Sequence, residues 1–560
     1  MDEIRPNFLF DPTGGRHYLN MRHTTGLQVS LLPRRILAYL APLMLLSAPA
    51  TSAQDFDGDG FKDLAIGVPL EGIDGEADAG AVNVIYGGVL DPSPGTPYQV
   101  RWGLSTRDEI WSQNHAGIKG VAENGDQFGF SVAWGDFNGD GFDDLAAGAP
   151  YEGVSGEPDA GAVNVLYGNP GNGLEAVNDQ IWHQDSPGIK GVPEKNDYFG
   201  WSLAAGDFNG DGYDDLAIGV PGEGVDGNSR AGLVKVLYGS NGVGLTDVRD
   251  QAWSQNSPNV NDSKAQPGDE FGYALCVGDF DGDGLDDLAI GAPGEEVSNR
   301  EDAGSVNVLY GSSAGLEARS DEPHWSFKFD QIKGDPEVDD RYGAALACAD
   351  FDLDGADDLA IGVPGRDIWS GGLPIDNAGS VSVLYGEKHN GLTFRDQLWD
   401  MDKALNAVLS SNHDQFGFSL ATGTFRAGDA YRGHPIPPAL AVGAPGANGA
   451  VVVIYSGIQG AGLVAWSQLL TDTVLGRGFG TSLMAANLVD GGPQSAAWLD
   501  DLVVGIPGAE VNQQPGAGII RVFSGTTHFG LWQEKTWSQH TTGIKGKAED
   551  GDGFGAALVR

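Results

Sequence analysis

Acidic side chains recur at a fixed spacing in five places along this 560-residue chain. Each place carries a nine-residue pattern with Asp or Asn at positions 1, 3, 5 and 9 and Gly at position 6. Oxygen ligands at alternate positions around a sharp turn suit Ca²⁺, which takes about six to eight oxygens in a flexible shell. The pattern therefore predicts five calcium-binding loops. They are DFDGDGFKD at 55–63, DFNGDGFDD at 136–144, DFNGDGYDD at 207–215, DFDGDGLDD at 279–287 and DFDLDGADD at 350–358.

The predicted ligands in each loop are the side chains at positions 1, 3, 5 and 9 and the backbone carbonyl of position 7. Asp/Gly clusters also form ordinary turns without metal, but five copies in register favour metal binding. The side chains are those of Asp55, Asp57, Asp59, Asp63, Asp136, Asn138, Asp140, Asp144, Asp207, Asn209, Asp211, Asp215, Asp279, Asp281, Asp283, Asp287, Asp350, Asp352, Asp354 and Asp358. The carbonyls are those of Phe61, Phe142, Tyr213, Leu285 and Ala356.

The sequence after each loop is typical of a strand and not of a helix. An EF-hand would carry a bidentate Glu at position 12, whereas position 12 here is Ala147 in the second loop and Ile in the others. The residues after position 9 read LAIGVP, LAAGAP or LAIGAP, a short apolar run closed by Gly and Pro. Such a run predicts a buried strand.

The loops belong to a longer repeat of about 71 residues whose landmarks occur seven times. The landmarks are a Trp, an aromatic-Gly pair, a GxP and an aromatic residue followed by Gly or Ser. Short strand-like stretches separated by turns lie between them. Four strands in each of seven units predict an all-β fold, a seven-bladed β-propeller of four-stranded blades. The Trp residues lie at 111, 182, 253, 325, 399, 466 and 537.

The two ends of the repeat region complement each other. The first unit begins at the Asp55 loop without a preceding aromatic-Gly strand, whereas the chain ends just after such a strand, FGAALVR at 554–560. We expect the C-terminal strand to become the inner strand of the first blade and to close the ring. A truncated gene product is the alternative.

The combination of FG, the DxDxDGxxD loop and GAP or GVP resembles the FG-GAP repeat, the blade unit of the integrin α-subunit propeller and of many secreted bacterial proteins. The resemblance covers residues 55–560. It implies that each metal loop joins the first two strands of a blade on one face and that ligands bind the other face.

The last two units depart from the family pattern. The sixth has Thr424 and Ala439 where loop Asp residues belong, so we predict no metal there. The seventh keeps Asn487 and Asp501 around an insertion, and its metal site is open to question. The expected number of bound Ca²⁺ ions is therefore about five.

Charge and the N-terminal sequence indicate the compartment. The formal net charge of −46 argues against nucleic acid and anionic membrane surfaces as partners. Residues 36–50, ILAYLAPLMLLSAPA, predict a signal peptide within a leader at 1–53, with cleavage near Ala53. An uncleaved anchor is the alternative, and Met21 is an alternative start. We expect the propeller at 54–560 to be secreted, periplasmic or at the cell surface, without membrane insertion after cleavage.

The two cysteines are predicted to stay unpaired. Cys276 and Cys348 lie in the inner strands of units four and five, three and two residues before the first loop Asp. Because neighbouring strand residues point to opposite faces, this difference of one residue in register argues against a disulfide.

The sequence carries no recognisable catalytic motif: GxSxG, a phosphate-binding loop and a His/Cys cluster are all missing. In acidic pairs such as Asp143 and Asp144, the second residue is the loop ligand and the first is expected to face solvent. The Trp residues predict blade anchors, with a sugar platform as the alternative. We therefore expect a non-enzymatic adhesion or interaction module with an extracellular protein or glycan partner. A lectin-like glycan binder and a polysaccharide-active enzyme are the alternatives.

One connection stands out as a candidate for partner binding. The segment GRDIWSGGLPIDNAG at 365–379 is the longest of its type among the five intact units. It offers Arg366 and Trp369, residue types that are enriched at interface hot spots. A tolerated loop insertion is the alternative.

Overall fold

The computed structural model describes residues 54–560 apart from several gaps. The predicted leader, the signal peptide and the cleavage site near Ala53 lie outside the described residues. Within the described part of the chain, no helix has both the length and the apolar character needed to cross a bilayer. The gaps are 91–100, 106, 261–263, 321, 371, 427–435, 447–448, 458–459, 472–477, 489–498, 527–529, 543 and 559–560.

Seven antiparallel sheets form the blades of a propeller, which confirms the predicted fold. Inner strands of successive blades contact one another all the way around the central axis. From the inner to the outer strand, blade 1 consists of Ala557–Leu558, Leu64–Val68, Ala81–Ile85 and Asp108–Trp111; blade 2 of Ser131–Gly135, Asp144–Ala149, Ala162–Tyr167 and Glu175–Trp182; and blade 3 of Leu203–Gly206, Asp215–Val220, Leu233–Tyr238 and Thr246–Trp253.

The remaining blades follow the same order around the ring. Blade 4 consists of Ala274–Gly278, Asp287–Ala292 and Ser305–Leu309; blade 5 of Ala345–Ala349, Asp358–Val363, Ser380–Glu387 and Gly391–Trp399; blade 6 of Ser419–Gly423, Ala439–Ala444, Ala450–Ser456 and Leu463–Thr471; and blade 7 of Ser482–Ala486, Asp501–Ile506, Ile519–Ser524 and Trp532–Trp537. Outside the blades lie the short hairpins Val89–Leu90/Arg101–Trp102 and Ile368–Ser370/Leu373–Ile375 and the helix Met401–Leu405.

The hydrophobic core lies between neighbouring blades. The second strand of every blade is buried along its whole length, because a sheet lies against each of its faces. The cluster between blades 1 and 2, for example, brings together Val84, Leu145 and Phe56. The apolar run after each loop is therefore explained by burial on both faces of the strand.

The C-terminal strand closes the ring, as predicted. Ala557 and Leu558 pair antiparallel with Gly67 and Ile66 in blade 1. Gln539 also donates from Nε2 to Glu71 across the seam at 2.5 Å, as Gln113 does to Glu152 between blades 1 and 2 at 2.6 Å. The seam therefore repeats contacts made within the ring.

Among its described residues, blade 4 has three strands and no regular outer strand, so the prediction of four strands is wrong there. Val306 and Trp325 form an isolated antiparallel bridge, with reciprocal hydrogen bonds of 2.9 and 2.7 Å. The next hydrogen-bonded pair along this ladder would use residue 323, which is Pro. Because proline has no N–H to donate, the ladder ends at Trp325.

Trp466 does not occupy the anchor position of its blade. Leu470 pairs with Val451 where Trp399 pairs with Val381 in blade 5. Trp466 lies four residues earlier and packs against Tyr455, with ring centroids 4.9 Å apart. The interpretation of the recurrent Trp as an anchor is therefore wrong for the sixth unit.

Cys276 and Cys348 form a disulfide, so the prediction of two unpaired cysteines is wrong. Their Cα atoms lie 6.3 Å apart, on the inner strands of blades 4 and 5. Blades pack face to face, so the front of one inner strand meets the back of the next. Residues that point to opposite faces of their own sheets can therefore meet, and the difference of one in register favours the pairing.

Candidate metal centres

Each predicted loop curls around the carboxylate at its first position. In the first loop, Asp55 accepts hydrogen bonds from the backbone N–H groups of Asp59 at 3.1 Å and Gly60 at 2.9 Å. The other four loops make the same two bonds. The carboxylate at position 5 in turn accepts from the N–H of position 7 in all five loops.

The carboxylate at position 9 ties the loop to the end of the third strand. Asp63 accepts from the backbone N–H of Phe56 at 2.8 Å and of Gly87 at 2.9 Å. Its side chain is fully buried. The equivalent Asp in each of the other loops makes the same two bonds. These two hydrogen bonds fix the position-9 carboxylate, one of the predicted metal ligands, at the start of the second strand.

Three of the loops bring three carboxylates together. One oxygen from each of positions 1, 3 and 9 lies within 4.8 Å of the others in the first, fourth and fifth loops. The second and third loops have Asn138 and Asn209 at position 3, so an amide replaces one carboxylate. The clusters are Asp55, Asp57 and Asp63; Asp279, Asp281 and Asp287; and Asp350, Asp352 and Asp358.

The side chains of these loops fit a hard divalent cation. Oδ1 of Asn138 and Oδ1 of Asp352 are buried without a hydrogen-bond partner. Burial raises the pKa of Asp63 to about 8 and that of Asp144 to about 9, and neighbouring loop carboxylates add to both shifts. Such crowded acids are costly to ionise without a cation. A bound Ca²⁺ would be held by these oxygens and would supply the compensating charge.

Arginines reach three of the loops, which the sequence did not indicate. Arg107 forms an ion pair with Asp57, and its guanidinium lies 3.9 Å from the ring centroid of Tyr86. Arg319 and Arg395 make the same contacts in the fourth and fifth loops. The arginines lie in or near the outer strand, more than thirty residues from the loop they reach. That separation leaves no local sequence signal.

The acids at position 8 join neighbouring blades, so their expected exposure to solvent is wrong. Asp143 is buried, and its Oδ2 accepts from the backbone N–H of Asp55 in the preceding blade at 2.9 Å. The same bond recurs at four further interfaces, from Asp136 to Asp214, Asp207 to Asp286, Asp279 to Asp357 and Thr424 to Asp500. The first four calcium loops and the degenerate sixth loop are thus each fixed from the next blade.

The degenerate units differ from each other. In the sixth, Thr424 and Ala439 supply no carboxylate, and residues 427–435 between them lie outside the described part. In the seventh, Asp501 accepts from Leu488 at 2.8 Å and Gly525 at 3.2 Å, as the position-9 residues do elsewhere. Residues 489–498 of that loop, on which the seventh metal site depends, lie outside the described part of the chain.

The two residues of the partner-binding prediction differ in their exposure to solvent. Arg366 has a side chain only 11% exposed, pairs with Asp340 at 3.3 Å and lies over the ring of Phe327. Trp369 lies in the hairpin Ile368–Ser370/Leu373–Ile375 and is 79% exposed. Of the two, Trp369 is the side chain available to a partner.

Calcium affinity is expected to rise with pH. A proton must leave the position-9 carboxyl before calcium binds, and the folded pKa of that group is about 8 in Asp63 and about 9 in Asp144. Each pH unit below that pKa should weaken binding roughly tenfold. Calorimetry at pH 6, 7.5 and 9, in buffers of different ionisation enthalpy, would measure the affinity and the protons released. An affinity that does not change with pH would contradict the assignment.

Stability without calcium should have the opposite pH dependence. The pKa of Asp63 is raised from 3.8 to about 8 in the folded chain, so the calcium-free fold binds more protons than the unfolded chain. The contribution of Asp63 to the free energy of unfolding is therefore greatest below about pH 4 and is lost as the pH rises towards 8. Melting curves in EDTA between these pH values would show the decline.

Comparison with known proteins supports the repeat assignment. Residues 49–85, 128–166, 199–237 and 271–309 match the FG-GAP repeat. Phosphatidylinositol-glycan-specific phospholipase D of Rattus norvegicus is 39% identical over 168 residues, which are 30% of this chain and 18% of that protein. Integrin alpha-8 of Gallus gallus is 31% identical over 278 residues, 49% of this chain and 22% of the integrin.

The solved structures share less with this chain. The rhamnogalacturonan lyase YesW is 14% identical with a TM-score of 0.31, and the match covers 87% of each chain. A TM-score of 0.31 is too low to support any statement about function. The chain also spans less than a quarter of the length of the two relatives above. With its seven blades and its DxDxDG loops, the chain carries FG-GAP repeats and is a distant homologue of integrin alpha subunits and of phosphatidylinositol-glycan-specific phospholipase D.

Proposed function

We propose that this chain is a secreted, calcium-stabilised, non-enzymatic module that binds an extracellular protein or glycan. The observation that carries the proposal is a difference between the two faces of the propeller: one face carries the metal loops, and the other carries connections of variable length. Four of the loops join the first two strands of their blades, and the first loop directly precedes Leu64–Val68, the second strand of blade 1, so all five lie on one face. Four of them are fixed by the next blade. The connections from the second to the third strand leave from the other face and are free to vary.

Several features support a location outside the cytosol. The disulfide between Cys276 and Cys348 suits an oxidising compartment. The predicted signal peptide points the same way. Calcium is abundant outside cells, so sites of the weak affinity that is typical of extracellular modules would still be filled.

The use of the loop acids favours a structural role over catalysis. Carboxylates at positions 1, 5 and 9 accept backbone N–H bonds within their own blade, and those at position 8 accept them from the preceding blade. Acids committed in this way hold the backbone and are poorly placed to exchange protons with a substrate.

Trp369→Ala should weaken partner capture while the calcium content stays unchanged. A hot-spot Trp is worth about 2 kcal/mol or more, so roughly a thirtyfold loss of affinity is expected. The measurement is recovery of partners from the native extracellular milieu on immobilised chain, quantified by mass spectrometry. Trp532→Ala is the matched control, because Trp532 is 64% exposed on the outer strand of blade 7. Equal recovery by both variants would place the partner site elsewhere.

Arg366→Ala should behave differently from Trp369→Ala. It leaves the buried Asp340 without its cation, so it should lower the melting temperature. Removal of one partner from a largely buried ion pair costs about 3–5 kcal/mol, because the other charge is left uncompensated. A loss of binding in that variant would therefore not by itself identify a contact residue.

A further inference from the structure

Three of the five calcium loops carry one acid more than the other two. At position 3 the first, fourth and fifth loops have Asp, whereas the second and third have Asn. Among the side chains at positions 1, 3, 5 and 9, the loops with Asp therefore hold four carboxylates and the loops with Asn hold three. The position-3 residues are Asp57, Asn138, Asn209, Asp281 and Asp352. The arginine contacts of the loops follow the same division.

An arginine pairs with position 3 wherever that residue is Asp. Arg107, Arg319 and Arg395 each form an ion pair with Oδ2 of the position-3 Asp of their own blade. The three Asp side chains are at most 4% exposed, so a charge left uncompensated there would be costly. One guanidinium beside four carboxylates leaves three net negative charges. The two loops with Asn hold the same number.

The loops with Asn have no such ion pair within the described residues. Blade 2 has Asn178 at the place that Arg107 takes in blade 1, directly before the Asp of the outer strand. Blade 3 keeps an arginine there, Arg249. The side chain of Arg249 is exposed and forms no salt bridge in the described part of the chain. The pairing therefore follows the additional carboxylate and not the mere presence of an arginine.

The arginine leaves one oxygen of its Asp on the side of the loop. Oδ1 of Asp57 and of Asp281 accepts from the backbone N–H of position 5 at 3.1 Å, and Oδ1 of Asp352 is buried without a hydrogen-bond partner. Each guanidinium is itself held over a tyrosine ring at the end of the third strand, at 3.9, 3.6 and 4.1 Å from the ring centroid. The position-3 carboxylate is thus oriented from outside the loop, with Oδ1 left for a cation.

We infer that Arg107, Arg319 and Arg395 are positioning residues that set the charge of the calcium loops. Each one neutralises the fourth carboxylate while the loop is free of metal and keeps Oδ1 of that carboxylate turned into the loop. All five loops then present the same net charge to calcium. The inference rests on the proposed function in so far as the loops bind calcium. It concerns how tightly they bind it, so it can fail while calcium still binds.

Removal of an arginine should have opposite effects on the calcium-free fold and on calcium affinity. Arg395→Gln leaves the buried Asp352 without its cation, which should lower the melting temperature in EDTA. The missing charge is supplied again when calcium binds, so the decrease in millimolar calcium should be smaller. A change that harms the calcium-free state more than the bound state tightens binding. Loss of one positive charge beside a divalent ion should tighten that site roughly tenfold.

The test is calorimetric melting in EDTA and in calcium, with titration of the calcium-free chain in competition with a fluorescent chelator. Arg249→Gln is the matched control, because Arg249 is exposed opposite Asn209, and it should change neither quantity. Arg395 also donates to the backbone carbonyl of Gly460 in the next blade at 3.0 Å. If that link were its whole role, Arg395→Gln would lower both melting temperatures equally and leave the affinity unchanged. Such a result would overturn the inference.

A second substitution separates charge from packing. Arg395→Gln combined with Asp352→Asn gives the fifth loop three net negative charges again and reproduces the amide pair of blade 2. We expect this double variant to melt higher in EDTA than Arg395→Gln and to bind calcium as the wild type does. A double variant that melts no higher than the single one would refute the charge-setting role.

The first loop offers an independent repeat of the experiment. Arg107→Gln, alone and with Asp57→Asn, should show the same pattern and replaces the fifth-loop pair if Arg395→Gln does not fold. Calcium uptake by the wild type with unchanged affinity in the arginine variants would overturn this inference alone. No uptake by the wild-type chain would overturn the calcium-stabilised function as well.

Discussion

Chelation of calcium is expected to lower the melting temperature markedly and to open blades 1 to 5 to proteases before blades 6 and 7. Without a cation, the acids that lie within 4.8 Å of one another in a loop repel each other. Binding to the native state alone stabilises it by about 2.7 kcal/mol per site at a hundredfold excess of calcium over Kd. Calorimetric melting in EDTA and in millimolar calcium, with mass spectrometry of the first proteolytic fragments, measures both effects. Equal melting temperatures in the two conditions would contradict a structural role for the metal.

The number of ions can be tested independently of stability. Elemental analysis of the mature chain should find close to five Ca²⁺, and two or fewer would refute the loop assignment. Asp144→Asn should remove one ion, because it neutralises the buried position-9 carboxylate. Asp143→Asn, one residue earlier, should keep the ion and weaken only the hydrogen bond to Asp55. The pair thus separates metal binding from contact between blades.

Deletion of residues 554–560 is expected to be the most damaging small truncation. It removes the inner strand of blade 1 and the side chain of Phe554, which is fully buried between blades 7 and 1. Replacing a buried Phe by Ala costs about 3–5 kcal/mol, and the missing strand leaves Leu64–Val68 with an unpaired edge that invites aggregation. Calorimetry and size-exclusion chromatography would measure the two effects.

Phe554→Ala isolates the packing contribution, because it leaves the backbone pairing of Ala557 and Leu558 possible. Its melting temperature should lie between that of the wild type and that of the truncated chain. Trp532→Ala, at an exposed outer position, should melt like the wild type. A truncated chain that remains monomeric with an unchanged melting temperature would show that the seam does not need this strand.

Local sequence determined much of this protein. The spacing of Asp and Gly within nine residues identified the loops, because a turn around a cation is built by neighbours in the chain. The number of blades and their closure followed from the repeat and from its complementary ends. The missing outer strand of blade 4 could also have been read from Pro323, since the loss of one N–H donor is a property of that residue alone.

Only the tertiary structure decided the contacts between blades. These contacts involve residues that are far apart in sequence or belong to different elements. They are the disulfide, the hydrogen bond from Asp55 to Asp143, the ion pair of Asp57 with Arg107 and the ion pair that covers Arg366. They depend on which face of one sheet meets which face of the next. The alternation of side chains along a strand shows which residues share a face of the sheet. It does not show which other sheet packs against that face. The packing of the ring therefore brought together side chains that the sequence did not connect.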